Sequence, residues 1–165
     1  MGDRTPLQLQ IVACPTAQAA AVLEIIDAYN LVLDADGDGD HGVLRLGEKY
    51  VDAEARCGSA EEVASRLHEA APDASWECWE DPKYEWLGNL YQFTPELGLF
   101  TAECDGEGQP RFTASEVRQF TNMAAAGQDV DLARALGELH AQFLAKKIEQ
   151  AKTGDRDRIA VPAED

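Results

Sequence analysis

Residues 7–13 read LQLQIVA, a stretch in which apolar and polar side chains alternate. In a β-strand, successive side chains point to opposite faces, so Leu7, Leu9 and Ile11 would share one face and the intervening glutamines the other. The alternation predicts a first strand that turns one face toward a hydrophobic core.

The elements after this strand extend the pattern. Residues 16–30 carry apolar side chains at spacings of three and four, which predicts a helix that ends near Asn30. Residues 31–33 are β-like, and residues 43–57 return to alternation. The segment between them, 34–42, contains only residues typical of turns, so we predict a hairpin with an acidic tip.

A second helix is predicted to start at Ser59, because Glu62 three residues later completes the pattern of a capping box. Pro72 would stop this helix, and residues 75–81 are predicted to form the next strand. The order strand, helix, strand, strand, helix, strand is typical of a ferredoxin-like half. We therefore expect an α+β fold with a mixed or antiparallel sheet.

The remaining residues predict a hairpin followed by two C-terminal helices. Residues 87–94 and 99–105 would form the hairpin and extend the sheet. Thr113 and Glu116 form a second capping-box pattern at the start of the first helix, and Asp129 can cap the second. An apolar stripe along that second helix would pack on the sheet or on a second copy of the chain.

A chain of 165 residues is long enough for one domain with a sizeable core. We predict a single domain over residues 1–152, with an acidic, sheet-rich part at 1–110 and a nearly neutral helical part at 111–152. Residues 153–165 contain charges, glycine and proline, and are predicted to be a flexible tail.

The net charge is −17, and it is concentrated in the first two-thirds of the chain. Residues 1–110 carry 22 acidic and 6 basic residues, whereas residues 111–165 carry 9 and 8. Direct binding to the phosphates of nucleic acid is therefore disfavoured, and a basic protein is the expected partner. No apolar run reaches the roughly 18 residues of a membrane-spanning helix, so no membrane partner is expected.

The four cysteines lie far apart in the sequence, without the close pairs typical of zinc or redox sites. We interpret them as separate small hydrophobic residues and expect a cytoplasmic protein. No serine or cysteine lies in a recognisable nucleophile turn, and no glycine pattern for phosphate follows a strand, so no catalytic residue is predicted.

The segment 34–41 reads DADGDGDH, and its start resembles that of an EF-hand calcium loop. Asp34, Asp36 and Asp38 would be the first three ligands of Ca²⁺, with Gly39 at the sharp turn. The twelfth position, which should supply a bidentate Glu, is Arg45. We therefore predict no cofactor, with a calcium site at these aspartates as the weaker alternative to a solvated turn.

Seven of the twelve aromatic residues lie between Trp76 and Phe100, interleaved with acidic residues. Alternation places Trp76 on one face of the strand and Glu77, Trp79 and Asp81 on the other. Two uses of these rings remain open. They can form a strand core, or they can form a surface for a basic peptide or a cationic ligand.

The leading hypothesis is a non-enzymatic acidic protein that binds a basic protein surface, including imitation of nucleic acid to inhibit a DNA- or RNA-binding protein. Its alternatives are a small-ligand or Ca²⁺-responsive regulatory domain and a carboxylate-dependent enzyme. A homodimer through the C-terminal helices is also open. The predicted partner-binding residues are Asp34, Asp36, Asp38, Asp40, Glu77, Trp79, Glu80, Asp81, Glu85 and Trp86.

Overall fold

A computed structural model describes residues 3–34, 42–153 and 157–162, and it contains five helices and nine strands within these ranges. The helices are α1 (Thr16–Ala28), α2 (Ser59–Ala70), α3 (Ala114–Ala125), α4 (Asp129–Ala135) and α5 (Glu138–Thr153). The strands are β1 (Arg4–Ala13), β2 (Val32–Leu33), β3 (Val43–Arg45), β4 (Lys49–Arg56), β5 (Ser75–Glu80), β6 (Gly88–Thr94), β7 (Gly98–Cys104), β8 (Pro110–Arg111) and β9 (Arg158–Ala160).

Seven strands form one antiparallel sheet in the order β2-β4-β1-β5-β6-β7-β8, and β3 pairs with β9 in a second, two-stranded sheet. The predicted α+β class is confirmed. The succession β1, α1, β2, β4, α2, β5 with strand order β2-β4-β1-β5 is that of a ferredoxin-like half. The predicted hairpin β6–β7 extends it, as expected.

One face of the sheet packs against α1 and α2. Leu7, Leu9 and Ile11 are fully buried there, together with Val63 and Leu67 of α2. The alternation in residues 7–13 therefore positions the main core, because every second side chain of the central strand β1 points into it.

The opposite face carries a row of polar side chains across four strands. Lys49 on β4 pairs with Gln10 on β1, Gln10 pairs with Glu77 on β5, and Glu77 pairs with Gln92 on β6. Residues that pair directly across antiparallel strands point to the same face. Helix α5 lies over part of this face, where its Leu144 is buried.

The start of α2 differs from the predicted capping box. The N-cap is Gly58 in a left-handed conformation (φ 92°), and no side chain of the segment caps the helix. The carboxylate of Glu80, from the neighbouring strand, accepts hydrogen bonds from backbone N–H groups at this end instead. At α3 the predicted box is confirmed, since Thr113 and Glu116 exchange both hydrogen bonds.

The C-terminal region contains three helices rather than the predicted two. Gly137 has a φ of 78°, a left-handed conformation that interrupts the helix between α4 and α5. A Cβ at this position would lie 2.6 Å from two ring atoms of Phe100, so the chain passes directly over that ring.

Residues 158–160 lie inside the segment predicted to be a flexible tail. They form β9, which pairs with β3 through the register Leu44 with Ile159. Leu44 is fully buried, and Ile159 packs against the main core. The apolar side chain within an otherwise charged segment fixes this strand, because its burial offsets part of the entropy lost in ordering the chain.

Candidate functional site

The most exposed aromatic surface of the described residues lies in the turn between β5 and β6, which we call the aromatic turn (residues 83–87). The side chain of Tyr84 is 91% exposed, that of Trp86 41% and that of Leu87 56%. Lys83 and Trp86 close the turn with two backbone hydrogen bonds of 2.9 and 2.8 Å. Contiguous exposed apolar side chains of this kind mark interaction sites more often than isolated ones do.

The backbone of the aromatic turn is strained at Tyr84, whose φ is 52°. A left-handed conformation is unfavourable for a bulky side chain and costs on the order of 1 kcal/mol or more. The surrounding hydrogen bonds hold this conformation, and it points the ring away from the sheet into solvent.

A buried carboxylate anchors the turn from below. Glu80 is 1% exposed, and its Oε1 accepts a hydrogen bond of 2.7 Å from the indole Nε1–H of Trp86. Its Oε2 accepts from the backbone N–H groups of Gly58 and Ala60, at 3.0 and 3.3 Å. The amide of Asn89 lies 3.5 Å from Oε1. One carboxylate thus joins the turn, the β6 strand and the start of α2.

This position suits a negative charge for a local reason. The first N–H groups of a helix have no partner within the helix, and the helix dipole is positive at that end. Since the sequence at Gly58 supplies no capping side chain, Glu80 takes over that role from the adjacent strand. The indole N–H of Trp86 donates to the same carboxylate, which can accept several hydrogen bonds at once.

The environment of the turn contains charges of both signs. Glu85 within the turn and Glu61 in the first turn of α2 are exposed, as is Glu103 on β7. Burial, together with the carboxylates of Glu61 and Glu80, raises the pKa of Tyr91 on β6 to about 12. Lys83 is the basic residue within the turn itself, and Arg4 and Arg56 pair across β1 and β4.

The structure separates the predicted partner-binding residues into three groups. Glu85, Trp86 and Asp34 are exposed, whereas Trp79 and Glu80 are 4% and 1% exposed and therefore offer almost no surface. Glu77 and Asp81 are half-buried. The remaining predicted residues, Asp36, Asp38 and Asp40, lie outside the described residues.

Trp79 is covered by the loop between β7 and β8. Its Nε1–H donates to the backbone oxygen of Gly106 at 3.4 Å, and a Cβ on Gly108 would lie 3.0 Å from the indole. Asp81 has an internal role as well, since it accepts a 2.6 Å hydrogen bond from Gln8. Burial raises the pKa of the Asp81 carboxyl, while the Gln8 hydrogen bond lowers it.

Sequence reasoning did not select Tyr84 and Leu87 as site residues. The signal that could have found them is their place in a short connection between two strands, where bulky apolar side chains have no core to enter. Asp34, by contrast, follows the edge strand β2, which lies three strands from β5 in the sheet. At about 4.8 Å per strand this is about 14 Å across the sheet, so Asp34 does not adjoin the aromatic turn.

No group of three or more metal-ligating side chains occurs among the residues that the structure describes. The predicted calcium ligands Asp36 and Asp38 lie outside the described residues, so the predicted calcium site stays untested. The four cysteines are free thiols. Burial raises the pKa of Cys14 to about 11, which disfavours the reactive thiolate at neutral pH.

The hydrogen bond between Trp86 and Glu80 makes a testable contribution to stability. Replacing Trp86 with Phe keeps an aromatic ring but removes the N–H donor, so we expect the free energy of unfolding to fall by about 2 kcal/mol. Urea denaturation measures this difference. Tyr84→Phe is the matched control, because it removes an exposed hydroxyl, and it should change stability by less than about 0.5 kcal/mol. Equal effects of the two substitutions would show that the bond contributes nothing.

The fold and the turn together define a class: an antiparallel α+β protein that presents a short aromatic turn at one end of its sheet. Within that class the chain belongs to the family described as "Protein of unknown function (DUF3145)", whose model matches residues 37–159. Neither the curated proteins nor the solved structures yield a match. None of the helices within the described ranges combines the length and apolar character needed to cross a membrane.

Proposed function

We propose that this chain is a non-enzymatic interaction protein that binds a basic protein surface through the aromatic turn. The observation that carries the proposal is the exposure of Tyr84, Trp86 and Leu87 on a turn that the buried Glu80 carboxylate holds in place. Aromatic side chains are enriched among the residues that dominate binding energy at interfaces.

The rigidity of the turn favours binding. An anchor that is already held in its bound conformation loses less conformational entropy when a partner docks. The indole of Trp86 is fixed at its N–H by Glu80, while its ring remains 41% exposed. Arginine guanidinium groups stack on such rings and also pair with carboxylates such as Glu85.

Overall charge supports a basic partner. The sheet-rich part of the chain carries an excess of 16 acidic residues, which would accelerate encounter with a positively charged surface. Whether the partner's surface is one that normally binds nucleic acid is a narrower proposal, which competition with DNA tests. The aspartates at 34–40 would also attract a positively charged partner, although Asp34 does not adjoin the aromatic turn.

We expect the wild-type protein, immobilised as bait in a lysate of its host, to retain a specific basic protein. The double variant Tyr84→Asn, Leu87→Ser should lose that protein at least tenfold, because it removes two exposed apolar contacts. Asn tolerates the left-handed conformation of residue 84, so the variant should keep its fold. Quantitative mass spectrometry of the retained proteins measures the loss, and a thermal melt checks the fold.

Leu99→Ser is the control for this experiment, since Leu99 is an exposed apolar residue on β7 (54%) outside the turn. It should retain the partner at the wild-type level. Added duplex DNA should release the partner only if this chain binds at the partner's nucleic-acid-binding site. Retention that is the same for the wild type and the double variant would exclude the aromatic turn as the binding site.

Self-association through the C-terminal helices is a second proposal, carried by α3. None of its residues is buried, and the side chain of Val117 is 51% exposed. Sedimentation equilibrium of the wild type and of Val117→Asp should show a dimer that the substitution dissociates. A monomer at all concentrations would exclude this use of α3.

A further inference from the structure

A cavity of about 330 Å³ lies on the polar face of the sheet, between β5, β6, the β7–β8 loop and α5. Its floor contains Glu77 and Gln92, and its walls include Trp79, Leu144 and Ile148. The volume is at the lower end of the range for small-ligand sites, and apolar walls with a few convergent polar groups are typical of such sites.

The charged side chains that line the cavity all have the same sign. They are Glu77 from β5, Glu107 from the β7–β8 loop and Glu138 from the first turn of α5. No Lys, Arg or His occurs among the described lining residues. Glu77 is half-buried and Glu107 and Glu138 are exposed, so the negative charge around this concave, partly apolar space favours entry of a cation over an anion.

Glu77 is the least exposed of the three. Its Oε2 accepts a 3.1 Å hydrogen bond from Gln92, which is its one hydrogen bond to the described residues. Burial raises the pKa of this carboxyl, while Gln92 and then Lys49 act in the opposite direction. A desolvated carboxylate with a single neutral donor is under-compensated, since buried carboxylates usually gain a charged partner or several donors.

The cation nearest in the row, Lys49, supplies only part of this compensation. In the register of the sheet it is two strands away from Glu77, about 10 Å at the backbone. Its ammonium lies 5.2 Å from the centroid of the Trp79 ring, a distance typical of a cation–π contact. The indole that walls the cavity is therefore already in contact with one cationic group.

We propose that this cavity binds a small organic cation, a primary ammonium or guanidinium group on a short apolar body, with Glu77 as its counterion. The charged group would lie over the floor, where it can pair with Glu77. The apolar body would contact the side chains of Leu144 and Ile148. This site is separate from the aromatic turn, and its existence does not depend on the proposed partner.

Three probes of similar size and different charge test the proposal: 2-phenylethylammonium, the neutral 3-phenylpropan-1-ol and the anionic 3-phenylpropionate. Each is titrated into the ¹⁵N-labelled full chain at neutral pH, and backbone amide shifts are followed. We expect the cation to bind at least tenfold more tightly than the neutral probe, with the largest shifts at Gln92, Gly108 and Leu144. The anion should not bind.

Glu77→Gln should weaken binding of the cation at least tenfold, because it removes the counterion while keeping the shape of the side chain. Glu103→Gln is the matched control, since it removes an exposed carboxylate outside the cavity and should leave affinity within twofold. Ala141→Phe, at the cavity wall, should also abolish binding with Glu77 intact.

Two results would overturn the proposal. One is the absence of shifts at the cavity with 10 mM of the cation, with the wild type shown to be folded by its spectrum. The other is equal affinity of the cation for the wild type and for Glu77→Gln, which would place its binding elsewhere.

Discussion

Replacing Glu80 with Ala should lower the free energy of unfolding by about 3 kcal/mol or more, which corresponds to a melting temperature about 10 °C lower. The side chain is 1% exposed and accepts hydrogen bonds from two backbone N–H groups of the α2 start and from the indole of Trp86. Alanine would leave these donors without their acceptor, and the N–H group of Ala60 is buried. Differential scanning calorimetry measures the change.

Two further variants separate the acceptor from the volume of the side chain. Glu80→Gln keeps the shape but has one acceptor oxygen instead of two, so its loss of stability should be smaller than that of Glu80→Ala. Glu85→Ala removes an exposed carboxylate five residues further along the chain, and it should shift the melting temperature by no more than about 2 °C. A loss for Glu80→Ala no larger than for Glu85→Ala would contradict the anchoring role.

Replacing Gly137 with Ala should cost about 3 kcal/mol of stability. The new Cβ would lie 2.6 Å from Cε1 and Cζ of Phe100, and the backbone φ of 78° is unfavourable for any residue with a Cβ. The cost combines about 1 kcal/mol of backbone strain with the displacement of α5 from the ring. Guanidinium denaturation measures the difference.

Gly127 provides a matched control within the same helical region. Its φ is 71°, and a Cβ there would meet no atom within 4 Å. Gly127→Ala should therefore show the backbone strain alone, about 1 kcal/mol. In a Phe100→Ala background the cost of Gly137→Ala should fall toward that of Gly127→Ala, since the contact no longer exists. An unchanged cost in that background would mean that Phe100 is not the obstacle.

Much of the fold follows from local patterns in the sequence. Periods of two residues predict the strands β1, β5, β6 and β7, and periods of three to four residues predict the helices α1 and α2. These periods arise because one face of each element is buried. The predictions fail where a residue distant in the sequence determines the local structure. Ser59 and Glu62 match a capping box, yet the cap comes from Glu80 on another strand.

The same distinction applies to the candidate site. Glu85 and Trp86 lie in a connection between two strands, where side chains are usually exposed. Both are among the partner-binding residues predicted from the sequence. Burial of Trp79 depends on the close passage of Gly108, and burial of Glu80 depends on the start of α2. Neither contact is local in sequence, so no pattern within residues 75–81 could have predicted it.

The strand order of the main sheet leaves backbone groups free along both of its sides. Among the described residues the two outer strands are β2 and β8, each only two residues long. β2 pairs with only Tyr50 and Val51 of β4, and β8 with only Glu103 and Cys104 of β7, so the rest of both longer strands has no strand on its outer side within the described ranges. An extended peptide adds to a sheet through such a row of backbone groups. Recognition by this protein can therefore combine main-chain pairing along a strand with the chemistry of a few exposed side chains.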